Sequence, residues 1–114
     1  MKKDNSLYLR NIIDKATEAV GFCTGVTLPD FLQNNMLQSA VVMKLIVIGE
    51  GARKLPPEIT EVIPLPRRMI KGFRNMAVHE YFNLDLEQVW VTIQEDLPEL
   101  VKKSSEYFEK VATK

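Results

Sequence analysis

The chain is poor in the residues from which most enzyme centres are built. Among 114 residues there is one histidine, one cysteine and one tryptophan. His79 and Cys23 with dispersed carboxylates do not supply the clustered ligands that zinc needs, so no metal is expected. Cys23 has no partner for an intrachain disulfide. "MKKDNSLYLRNIIDK" returns to charge before any apolar stretch develops, which excludes the pattern of a secretory leader and fits a reducing cytoplasm. Long hydrophobic runs are missing too: "AVVMKLIVIG" at 40–49 is interrupted by Lys44 and is too short to span a bilayer, so no membrane association is expected. Net charge is absent, with fifteen Lys and Arg against fifteen Asp and Glu, so any nucleic-acid affinity must come from a local patch. "IGEGARK" lacks the spacing of a P-loop or a dinucleotide fingerprint. With no repeat, low-complexity tract or linker, residues 1–114 read as one domain.

What is present is helical periodicity in an ordinary globular composition, 46% hydrophobic and 26% charged, far from the signature of disorder. Leu7, Leu9, Ile12, Ile13, Ala16 and Val20 fall mostly three or four apart and predict a first helix, with Asp4, Asn5 or Ser6 as its cap. Gly21, Gly25 and Pro29 predict a loop, after which Pro29 or Asp30 opens a second helix running to about residue 55. Its middle, "AVVMKLIVI", is rich in β-branched residues, but its length favours a helix, and an apolar surface nearly all round predicts a buried, central one. Gly49 and Gly51 predict a close approach by another helix. Pro56, Pro57, Pro64 and Pro66 bracket a turn or two of helix. Met69, Ile70, Phe73, Met76 and Ala77 mark a third long helix from Arg67. The last opens at Asp85, with Gln88 at the capping-box position, and is expected to kink at Pro98. These elements predict an all-α, up-and-down bundle of four long helices with a short fifth element.

The charge is unevenly placed along this frame. Arg53, Lys54, Arg67, Arg68, Lys71 and Arg74 lie between 51 and 74, whereas Glu80, Asp85, Glu87, Glu95, Asp96 and Glu99 follow without any Lys or Arg up to 101. Two solvated faces that pair with each other, or a phosphate-facing basic patch, both fit. The aromatics at helical spacing, Phe22, Phe31, Phe82, Trp90 and Tyr107, are expected in the core rather than as platforms for bases.

"FRNMAVHEYF" at 73–82 holds the histidine. On a straight helix Arg74 and Tyr81 fall about 20° apart, while His79 lies about 140° from Arg74 and about 7.5 Å further along the axis. One helix aims them apart, and two copies across a two-fold axis make a better composite site. An imidazole that titrates near neutrality can take a proton from an RNA 2′-hydroxyl or return one to the leaving 5′-oxygen, while a guanidinium holds the phosphate in bidentate fashion. Spacing alone does not separate that chemistry from the polar edge of a packed helix.

The run Arg74, Asn75, three residues, His79, Glu80, Tyr81 resembles the Arg, four residues, His, any residue, Tyr motif of the HepT-like branch of the HEPN superfamily. "FCTGVTLPDFL", "IVIGEGARKLP" and "YFNLDLEQVWVTIQEDLPEL" resemble the segments around it, so the similarity covers almost the whole chain. The resemblance implies a HEPN-type helical bundle that acts as a homodimer, a metal-independent endoribonuclease toxin of a toxin–antitoxin pair. It implies Arg74 and His79 as catalytic, Asn75 as a polar neighbour and Tyr81 as the hydroxyl that receives AMP. The donor is ATP, used by a partner, an MntA-like nucleotidyltransferase antitoxin, and the chain itself needs no cofactor. Glu50 fills the family's Gly-Glu position and is expected to orient Arg74. Because HEPN bundles also occur as non-catalytic helical binding modules beside a nucleotidyltransferase, that role is the alternative.

Overall fold

The computed structural model describes residues 3–63 and 85–112, and every regular element among them is helical. Helix α1 spans Lys3–Phe22. Of the expected stripe Leu9, Ile12, Ile13 and Ala16 are buried and Val20 is half-buried, whereas Leu7 is 66% exposed, and the buried Ala19 is not among the expected positions. The helix begins ahead of the expected cap at Asp4, Asn5 or Ser6. Those positions fall in its first turn, where amides lack an intrahelical acceptor and short polar residues cost little. After α1, Gly25 turns the chain at φ 76°, a left-handed conformation that a Cβ would strain.

Helix α2, Leu28–Gln33, is capped by Thr27, whose hydroxyl accepts from the Asp30 amide at 3.3 Å. The expectation of one helix from Pro29 or Asp30 to 55 is corrected by a break at Asn34. That residue is extended, with φ −113° and ψ 93°. Its amide closes α2 by donating to the Phe31 carbonyl, and its side-chain Oδ1 opens α3 by accepting from the Leu37 amide at 3.0 Å. Asn competes with the backbone for its own amides, which makes it a better cap than a helix interior residue.

Helix α3, Asn35–Arg53, settles the ambiguous stretch as helix. Val41, Val42, Leu45, Ile48, Gly51 and Ala52 are buried. It is not buried all round, however: Met36 is 83% and Met43 58% exposed. Of the two glycines expected at a close approach, Gly51 alone has one. A Cβ there would meet Ile12 Cγ1 of α1 at 3.1 Å, while nothing lies within 4 Å of one on Gly49. Lys44, the charge inside the apolar run, ion-pairs with Glu18 of α1.

Helix α4, Pro57–Thr60, is the short extra element, and it holds Ile59 and the following Ile63 in the core. Asp85 caps helix α5, Leu86–Val91, by accepting from the Glu87 and Gln88 amides at 3.1 and 3.2 Å. A π-helical turn, Thr92–Asp96, then leads into helix α6, Leu97–Ala112. The irregularity expected at Pro98 takes this form, with the Leu97 amide bonding the Thr92 carbonyl five residues back. Proline has no N–H, and its ring collides with the carbonyl four residues before it. A wider turn just ahead removes that collision.

Helix α1 packs against α3, α6 and the π turn, and α2 packs against α3 and α5. Their inner faces form one cluster that includes Leu9, Ile12, Phe31, Leu45, Ile93 and Leu100. The rings of Phe31 and Trp90 lie 5.3 Å apart at 43°, so these aromatics are core, as expected; Phe22, 40% exposed, is not. The all-α class holds. The long helix expected from Arg67 lies outside the described residues.

Candidate functional site

Arg74, Asn75, His79 and Tyr81 lie outside the described residues, as do Arg67, Arg68, Lys71 and Phe82. Their frame is described. On one side the chain is held at Ile63, 2% exposed, and on the other at Asp85, whose carboxylate caps α5 over the buried Val89. Both flanks of the motif segment are therefore anchored in the same core cluster.

Glu50 stands near the end of α3 with its side chain 58% exposed, and its Oε1 accepts from Arg53 Nη1 at 3.0 Å. An exposed pair one turn apart on a helix contributes little to stability, which leaves the carboxylate free to exchange partners. Of the basic group between 51 and 74, the two described members are locally engaged: Arg53 by Glu50, and Lys54 by the Tyr8 ring, 5.3 Å from its ammonium.

Beyond the motif, α5 and the π turn carry a polar row that the sequence reading missed: Gln88, Thr92 and Asp96. Thr92 is 2% exposed, and its hydroxyl donates to the Gln88 carbonyl at 3.0 Å. Gln88 Nε2 is buried without a hydrogen-bond partner among the described residues. A buried amide donor left unmatched costs about 1–3 kcal/mol, so such a group is a place to seat an acceptor. The signal was in the sequence as a polar residue followed by an apolar one every fourth position: Gln88 and Val89, Thr92 and Ile93, Asp96 and Leu97.

Among the described residues no group of three His, Cys, Asp or Glu side chains could hold a metal ion, and no helix is long and apolar enough to cross a membrane. Cys23 is buried, and burial raises its thiol pKa, which keeps it protonated and unreactive.

The profile of a family described as ribonuclease HepT-like matches residues 12–107, a stretch that contains the whole Arg74 to Tyr81 run as well as Glu50 and the Gln88 row. The chain belongs to the HepT-like family. Relatives extend the match nearly end to end. A candidate RNase of Methanocaldococcus jannaschii is 32% identical over 111 residues, covering 96% of this chain and 88% of the relative. A candidate RNase of Caldanaerobacter subterraneus subsp. tengcongensis is 33% identical over 104 residues, 90% of this chain and 93% of its own length. A Thermococcus cleftensis protein named as a probable ribonuclease HepT is 31% identical over 104 residues, 90% and 94% of the two chains. No solved structure matches this HepT-like chain.

Proposed function

We propose that the chain is a metal-independent endoribonuclease, working as a homodimer in the cytoplasm as the toxin of a toxin–antitoxin pair. The observation that carries this reading is the family match over 12–107, with Arg74, His79 and Tyr81 standing at the motif positions inside it. In the reaction His79 takes the proton of an RNA 2′-hydroxyl as its oxygen bonds to phosphorus. The bond from phosphorus to the 5′-oxygen breaks, a proton goes to that oxygen, and a cyclic 2′,3′-phosphate end remains. A second His79 from the other copy supplies the acid while the first acts as base. Arg74 holds the non-bridging oxygens and stabilises the charge that grows on them. Asn75 lies beside Arg74 in sequence, and Glu50, whose exposed pair with Arg53 is easily exchanged, orients the Arg74 guanidinium.

A nucleotidyltransferase antitoxin of the MntA-like kind silences the site. The Tyr81 oxygen bonds to the α-phosphorus of ATP, pyrophosphate leaves, and the AMP so attached puts an anion and a bulky base where RNA must bind.

Cleavage of RNA by the purified chain in EDTA, giving cyclic phosphate ends and lost in both His79→Ala and Arg74→Ala, is the expected result. Activity that needs a divalent ion and ignores both substitutions would refute the mechanism. A chain that never cleaves but binds the nucleotidyltransferase is instead a binding module.

A further inference from the structure

We draw no further inference here: the strongest candidate, the polar row of Gln88, Thr92 and Asp96 along α5 and the π turn, carries nothing because Thr92 already bonds the Gln88 carbonyl, Gln88 as a whole is only half-buried, and nothing among the described residues shows what acceptor its buried amide meets.

Discussion

Two glycines two residues apart on α3 give opposite answers to the same substitution. In a helix interior, replacing Gly by Ala gains about 1 kcal/mol, because alanine loses less backbone entropy on folding. At Gly49 nothing lies within 4 Å of the added Cβ, so Gly49→Ala should keep that gain, about 1 kcal/mol or about 4 °C in Tm. At Gly51 the new carbon would stand 3.1 Å from Ile12 Cγ1 and 3.5 Å from its Cδ1. Ile12 is 1% exposed and has no solvent to move into, so α1 and α3 must part by a few tenths of an ångström. Overpacking of that kind costs about 1–3 kcal/mol, which cancels or outweighs the propensity gain and leaves Gly51→Ala between neutral and about 2 kcal/mol destabilised. Urea unfolding of both variants, with equal m-values to confirm a common unfolded state, measures the difference directly. Gly51→Ala stabilising the chain as much as Gly49→Ala would show that α1 and α3 are not in close contact at Ile12.

Three further outcomes are expected. Asn34→Ala removes the side-chain acceptor of the Leu37 amide and should cost about 1 kcal/mol, read by urea unfolding. Glu18 has its carboxyl pKa lowered first by its hydrogen bond to Lys44, and Lys15 adds to the effect. A lowered folded pKa means stability that is present above the unfolded carboxylate value, about 4.3, and is lost as pH falls through the lower folded value. Glu18→Gln should therefore flatten the acid limb of a Tm-against-pH curve and leave its alkaline side alone. His79→Ala and Arg74→Ala should each lose cyclic-phosphate product by at least about a hundredfold without loss of fold, measured on end-labelled RNA.

The long described elements were legible for different reasons: burial selects the periodicity from Leu9 to Ala16, whereas α3 read as helix from its length, its apolar surface being nearly continuous. Boundaries were less so. Asn34 divides a segment that hydrophobic spacing joins, since a cap works through one side-chain oxygen and leaves no mark on the apolar pattern. The first helix ran past its expected cap for the same reason. The exposure of Met36 and Met43 was hidden because a sequence records that a face is apolar, not whether anything in the same chain covers it. Gly49 and Gly51 look alike in sequence, and only the position of Ile12 separates them. Of the candidate site, Glu50 was placed and shown to be solvent-facing, Arg74, Asn75, His79 and Tyr81 lie outside the described residues, and the Gln88, Thr92 and Asp96 row emerged only from burial.

The π turn before Pro98 fixes how the last third of the protein can vary. Val89, Ile93 and Leu97 are buried at successive intervals of four, a spacing that would drift around an ordinary helix by about 40° at each step. One extra residue in the turn absorbs the drift, so α5 addresses α2 while α6 addresses α1. Removing a single exposed residue there, Gln94 or Glu95, would take out the extra residue and leave an ordinary helix, with Ile93 and Leu97 three positions apart on the same face. Leu97, Leu100 and Ser104 would keep their place in the interior, whereas a residue added or removed further along α6 would rotate everything beyond it by about 100°. The turn is therefore where relatives can differ by a single residue, while α6 beyond it can change length only by whole turns.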